Sequence, residues 1–386
     1  MLEYEIIQNR TTRLSGINHM NENIYTDDKR QNMLDHRDIK DFEKIEIMNE
    51  FLGINTPKFD ENFELIEYVN SGSTGIVYKG KSKSENNPQS YSFKFFIPKN
   101  PNKKNVISRY HEIINQKKLH HKNIVQILAF NKINSTDFFS VSEFGNYGDL
   151  DKLLNNYLKK KYLSETFVNY IAKQVLEGLN YMHQKHLIHM DIKKANIVIN
   201  SNFDAQLIDF SSTFSLKAYQ PEDIIIFPMI GTGRYMPPEL LNKTKMEAKY
   251  GGKIDMYSLG VTLYHLCFGF YPYGLNNVKG DDYAKIVEQL NNANLEFPKG
   301  FDVSCKLKNF LRKLLEKDYR KRFSVKEALN DPWIKGWELI NEEKENIVNL
   351  ENFIIKLISD SIPKFNEYLK NNESVGIEIQ NKERKR

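Results

Sequence analysis

The stretch "LIHMDIKKANIVIN", residues 187–200, places a carboxylate (Asp191), an amine two residues on (Lys193) and an amide five residues on (Asn196) between two apolar runs. Asp191 can accept a proton from an alcohol, and Lys193 can neutralise charge on a transferring phosphoryl group. Asn196 can bind a hard cation through its amide oxygen. Taken alone, the same three residues also describe an ordinary polar loop. Downstream, "AQLIDFSS" sets Asp209 at the end of an apolar, strand-like run, about 18 residues after Asp191. It is a second oxygen ligand for the same cation.

Two further features lie upstream. In "VNSGSTGIVYKG", Gly72 and Gly75 fall between two strand-like runs, where the missing Cβ lets backbone N–H groups approach phosphates. A glycine hairpin without function reads the same way. In "YSFKFF", Lys94 sits within an apolar strand, and a lysine is costly to bury there unless paired. Glu112, in the next helix, is its natural partner.

These residues need elements to hold them. From about residue 63 the chain reads as strand, turn, strand ("FELIEYVNSGSTGIVYKGKS"), a third strand ("QSYSFKFFIP"), a helix, and two more strands. After residue 149 helical patterns dominate, from "LDKLLNNYLKKKYLSETFVNYIAKQVLEGLNYMHQKH" onward. The expectation is an α+β chain with a small sheet carrying one helix, a larger mainly helical part, and a ligand cleft between such lobes. Residues 1–62 form a polar N-terminal extension with one amphipathic helix, in which Ile39, Phe42, Ile45, Met48 and Phe51 recur. Residues 338–386 form a helical C-terminal extension with a stripe of Ile347, Leu350, Ile354 and Leu357 and a basic tail, "NKERKR". Each apolar face is expected to be covered, by docking on the rest of the chain rather than by a separate partner.

The totals narrow the classes. Apolar residues make up 40% of the 386, which supports a sizeable core. The formal charge of +5 is slight for this length, and no nucleic-acid partner is expected. Two cysteines, Cys267 and Cys305, exclude a disulfide scaffold and fit a reducing compartment. The N-terminus has no basic start followed by an apolar run, so no secretory signal is expected. "YSLGVTLYHLCFGFYPY" is broken by His, Gly and Pro and reads as a buried core helix, not a membrane span. An intracellular protein is expected, cytoplasmic first, with the nucleus left open.

Three more segments complete the pattern: "GTGRYMPPEL" ending in Glu239, "KIDMYSLG" with Asp255, and "EKDYRKRFSVKEALNDPWI" with Arg322. In this order the residues resemble the signature set of the eukaryotic protein kinase superfamily, over about residues 63–337. The resemblance implies a bilobal kinase fold, with an N-lobe at 63–142, a hinge at 143–148 and a C-lobe at 149–337. It implies that Val69, Asn70, Gly72, Gly75 and Val77 cover ATP, and that Lys94, oriented by Glu112, contacts its α- and β-phosphates. Glu143 to Gly145 would hold adenine. Asp191 would position the substrate hydroxyl, Lys193 would meet the γ-phosphate, and Asn196 and Asp209 would hold Mg²⁺. Glu239 would pair with Arg322, and Asp255 would support the catalytic loop. Lys193 together with "GTGRYMPPE" resembles the serine/threonine branch, with protein substrates. Asp149 could meet a basic substrate residue, whereas Ala195 offers no second acid.

Several positions depart from the family pattern. Asn70 replaces the first glycine of the loop, and Asn tolerates left-handed backbone angles. Gln116 replaces an apolar residue that usually stacks toward Phe210 and His189, and a polar group there weakens that stack or needs a partner. Ser211 replaces the glycine after Asp209–Phe210 and should narrow the loop's conformations. Met190 replaces the arginine that grips an activation-loop phosphate, so activity is expected not to depend on phosphorylation of Ser212, Thr213, Ser215 or Thr232. None of these removes a group that touches phosphate or metal. The leading reading is an active kinase, and the alternative is a pseudokinase acting as a nucleotide-binding scaffold.

Overall fold

The structure is a computed structural model that describes residues 63–71, 75–83, 90–96, 112–132, 138–158, 162–278, 280, 282–301 and 303–336. The expected amphipathic helices near residues 39–52 and 347–358, their docking, and Gly72 lie outside the described residues. The chain divides into two compact units, one containing residues up to Ile113 with Ile127–Ser142, the other containing Ile114–Gln126 and the chain from Glu143 onward.

The first unit is built on a five-stranded sheet. Its strands are β1 (Phe63–Ser71), β2 (Ile76–Ser82), β3 (Ser90–Phe96), β4 (Ile127–Lys132) and β5 (Phe138–Glu143), in the spatial order β1-β2-β3-β5-β4. Alternation in "SYSFKFF" sends Phe93 and Phe95 to one face, where they pack with Ala129, Phe139 and Val141. Lys94 is thereby turned to the other face. The antiparallel register sets Val77 opposite Lys94. Between β1 and β2 the register shifts at Leu65/Glu67 and again at Tyr68/Asn70. Asn70 is not left-handed there. It stays in β1, and its side-chain oxygen accepts from the Ser71 amide at 2.8 Å, so the side chain takes over a backbone partner without a positive φ.

The second unit is mainly helical. Residues 114–126 belong with it although they precede β4 in sequence, because their hydrogen bonds go there. The Val125 amide donates to Leu207 O at 3.0 Å, and Asn123 Nδ2 donates to both Gln174 Oε1 and Ala205 O at 2.9 Å. Gln116 finds its partner in the same segment, donating to Val125 O at 2.8 Å. A helix over Glu165–Gln184 (α1) starts at Ser164, whose hydroxyl accepts from the Phe167 amide. A second over Lys253–Phe268 (α2) is buried nearly all round and ends at Gly269 in the left-handed region. This matches the expectation of a core helix. No helix among the described residues is long and apolar enough to cross a membrane.

Candidate active site

In the second unit, a strand at Leu187–Ile188 leads into the loop carrying Asp191, and a strand at Ile197–Ile199 leaves it. The two apolar runs noted in the sequence anchor the loop at both ends. Asp255, fully buried at the start of α2, holds it from beneath. Its Oδ2 accepts from the His189 amide at 2.9 Å and from His183 Nε2 at 2.8 Å, and its Oδ1 accepts from the Met190 amide at 2.8 Å. His189 Nε2 donates to Ile208 O at 3.0 Å, which leaves Nδ1 to accept from the Asp191 amide at 3.3 Å. Met190 is only 2% exposed and adopts φ 70, a left-handed angle that is costly for a non-glycine residue and is held here by the bonds to Asp255.

The Asp191 carboxylate is buried and accepts four hydrogen bonds. Lys193 Nζ (2.8 Å) and Asn196 Nδ2 (3.0 Å) donate to Oδ2; the Thr232 amide (3.0 Å) and Thr232 hydroxyl (2.9 Å) donate to Oδ1. Lys193 Nζ also reaches the Thr232 hydroxyl at 2.8 Å. A threonine hydroxyl therefore already sits between the carboxylate and the ammonium. Gly231, with φ +109, brings this segment close: a Cβ there would lie 2.5 Å from Met190 O.

Asn196 donates a second time, to Asp191 O at 2.8 Å. Both amide bonds thus run through nitrogen, which fixes the side-chain flip and leaves Oδ1 as an oxygen ligand. Asp209 adopts φ 62 and ψ 78, and Ser211 donates to its Oδ1 at 2.7 Å. Ser211 thus sits without a positive φ; the left-handed residue of this turn is Asp209. One amide and one carboxylate oxygen are donors suited to Mg²⁺, which commonly takes one or two protein carboxylates and completes its shell with phosphate and water. No group of three or more His, Cys, Asp or Glu able to hold a metal occurs among the described residues.

The segment 143–148 is tied to the same unit. The Tyr147 amide donates to Ile199 O (3.1 Å), the Ile199 amide to Gly148 O (3.0 Å), and Gly148 N to Gly145 O (2.8 Å). The Glu143 carboxylate accepts from Gln206 Nε2 at 3.4 Å. Asp149 caps the short helix that follows, accepting from the Lys152 amide at 2.9 Å, so its carboxylate is engaged within the chain. Burial pushes its pKa up.

In the first unit, Lys94 Nζ donates to Glu112 Oε1 at 2.5 Å, with the two side chains only 17% and 4% exposed. Each makes burial of the other tolerable. Gly75 lies where any Cβ would collide with Phe95 O. Val69 and Asn70 lie in β1, and Val77 in β2.

Sequence reading had Thr232 only as a phosphate acceptor and did not anticipate its bonds to Asp191 and Lys193. Its place in "GTGRYMPPE", shortly before Glu239, was the available signal. His183 on Asp255 had none, since the two stand 72 residues apart.

The protein kinase domain family profile matches residues 63–334 of this chain. Among curated proteins, the chain is 32% identical over 285 residues to Serine/threonine-protein kinase TIO of Arabidopsis thaliana, covering 74% of this chain and 20% of that one. It is 30% identical over 307 residues to Myosin light chain kinase A of Dictyostelium discoideum, covering 77% and 98%. It is 33% identical over 313 residues to Death-associated protein kinase 2 of Homo sapiens, covering 77% and 78%. The chain thus spans about a fifth of the first relative and most of the other two. It belongs to the protein kinase family, in the serine/threonine branch.

Proposed function

We propose that this chain transfers the γ-phosphoryl group of ATP, with Mg²⁺ bound, to serine or threonine hydroxyls of protein substrates. One observation carries the reading: the Asp191 carboxylate and the Lys193 ammonium grip a threonine hydroxyl between them. A substrate hydroxyl that takes the position of Thr232 Oγ1 meets the same two groups. Asp191 then orients it and receives its proton as the oxygen bonds to phosphorus and the bond from that phosphorus to the β–γ bridging oxygen breaks, releasing ADP. Lys193 sets a positive charge beside the oxygens that gain negative charge. Lys94, held by Glu112, is a fixed cation for the α- and β-phosphates, and Val69, Asn70, Gly72, Gly75 and Val77 form the cover. Glu143 to Gly145 serve adenine. Asn196 and Asp209 would hold Mg²⁺, which when bound neutralises phosphate charge. Residues 63–337 form the catalytic domain and the flanking segments its extensions.

The test is transfer of labelled phosphate from ATP to a generic basic protein by the purified full chain, with and without Mg²⁺. Transfer that stops on chelation is expected. Nucleotide binding without any transfer would overturn the reading in favour of a scaffold.

Activation-segment chemistry supports the expectation drawn from Met190. Thr213 is 4% exposed, and the Thr232 hydroxyl is engaged by Asp191 and Lys193. Neither is presented for modification, and the residue before Asp191 carries no cation to receive a phosphate. Treatment of the pure protein with a phosphatase, followed by its removal, is expected to leave the transfer rate unchanged within about twofold. A rate that collapses would show that a phosphate does organise the segment.

A further inference from the structure

Next to the Asp191–Thr232 group lies a second polar cluster, in the same unit, that phosphate transfer does not use. It contains Asp151, Lys194, Arg234 and His265, packed with Tyr235 and Tyr271. Lys194 Nζ pairs with Asp151 Oδ1 at 2.7 Å and lies 3.5 Å from His265 Nε2. An ammonium has donors only, so Nε2 is the acceptor and the proton of the neutral ring sits on Nδ1. Burial first, then the Lys194 ammonium, outweigh Asp151 and bring the ring's pKa down to about 4, so the ring is neutral near pH 7. The His265 Nδ1–H is buried and meets no hydrogen-bond partner among the described residues.

Arg234 is in the same condition. Its Nη2 donates to Val278 O and its guanidinium stands 5.1 Å over the Tyr271 ring, but its Nε–H is buried without a partner, and no carboxylate pairs with it among the described residues. The His265 ring lies 4.3 Å from Tyr271. Two unused donors, one of them on a cation, therefore sit against one tyrosine. The cluster's own carboxylate, Asp151, is taken by Lys194, and Asp149 is taken by its helix cap. Unused buried donors call for an acceptor, and a guanidinium favours a charged one.

We infer that Arg234 and His265 form a specificity site for an anionic side chain of the protein substrate, aspartate, glutamate or a phosphorylated residue, close in sequence to the hydroxyl that is phosphorylated. The inference rests on the reading of Asp191 and Thr232 as the place of transfer. Arg234 follows Thr232 by two residues, and extended chain covers roughly 3.4 Å per residue, so the anion falls within about three residues of the hydroxyl. Ala195 fits the same preference, since it places no acid on the loop.

The test uses the full chain and a fluorescent peptide series built around one serine, with Asp, phosphoserine, Ala or Arg at each of the three positions on either side. Binding is read by anisotropy and turnover by phosphate transfer. At one position, Asp or phosphoserine is expected to bind at least about tenfold more tightly than Arg. Arg234→Glu with His265→Glu is expected to abolish that advantage and favour Arg. Arg234→Met, which keeps packing on Tyr271 but no charge, should abolish it without the reversal, and serves if the double variant does not fold. Phosphoserine well above Asp indicates a previously phosphorylated substrate, and equality indicates a carboxylate; either supports the site. Equal binding of all peptides, a wild-type preference for Arg, or an acidic preference that survives Arg234→Met overturns it. Acidic preference in binding without any transfer would defeat the phosphotransfer reading and leave the binding site standing.

Discussion

Asp191→Asn is expected to lower the rate of phosphate transfer by about 10²–10⁴-fold, a loss of about 3–5 kcal/mol of transition-state stabilisation. The size follows from two independent losses. The carboxamide cannot take the hydroxyl proton. It also cannot satisfy its surroundings, because the wild-type carboxylate accepts from four donors, two on each oxygen. Turned one way, the amide NH₂ of the variant faces Lys193 and Asn196, which offer only N–H groups. Turned the other way, it faces the Thr232 amide. In either orientation a donor meets a donor, so Lys193 and Thr232 lose their common anchor. Single-turnover transfer, measured beside nucleotide affinity and the melting temperature, checks this. A loss below tenfold in a variant that melts like the wild type would remove Asp191 from the transfer step.

The second large effect is on stability. Arg322 and Glu239 form a two-point ion pair at 2.6 and 2.9 Å, with side chains 0% and 2% exposed. Arg322 also donates to the carbonyls of Glu316 and Lys253, both at 2.8 Å, and stands 5.0 Å over the Tyr257 ring. Arg322→Ala leaves a carboxylate in the interior with no countercharge and these two carbonyls short of donors. Breaking a buried pair from one side costs about 3–5 kcal/mol, a large part of the about 5–15 kcal/mol that holds a folded domain together. The melting temperature is expected to fall by roughly 6–20 °C. Glu239→Gln keeps the shape but leaves the buried Arg322 guanidinium without a countercharge and turns an amide NH₂ toward its N–H groups, so it is expected to be destabilising as well. A Glu239→Gln variant that melts like the wild type would mean that packing around Arg322, not the uncompensated charge, sets the cost of Arg322→Ala.

Much of the site's inventory was legible because it is local. Asp191, Lys193 and Asn196 share one six-residue stretch, so their mutual hydrogen bonds form as soon as the loop is anchored by the apolar runs on either side. Lys94 was legible as a residue in need of a partner, because alternation in β3 puts it on the face opposite Phe93 and Phe95. The departures were less readable. Ser211 was expected to narrow the turn's conformations; the sequence did not show that the left-handed residue is Asp209 or that the Ser211 hydroxyl donates to its carboxylate. Asn70 was read as able to tolerate left-handed angles; it does not need them, because it stays in β1 with its side chain bonding the next amide. Short polar side chains have two ways to complete a turn, and residue type alone does not choose between them.

By itself, the sequence determined the family, the two-part division into sheet and helices, and the chemical groups of the loop at 191–196. Periodicity and short spacing are properties of the chain itself, and they survive in any fold that buries the apolar runs. Only the tertiary structure decided that Thr232, 41 residues from Asp191, completes the carboxylate's shell. It alone set Asp255 under the loop and closed Glu239 on Arg322 across 83 residues. It alone left the Arg234 Nε–H and the His265 Nδ1–H without acceptors among the described residues. A buried polar group must find a partner of opposite character wherever packing allows one, and that search leaves no period in the sequence.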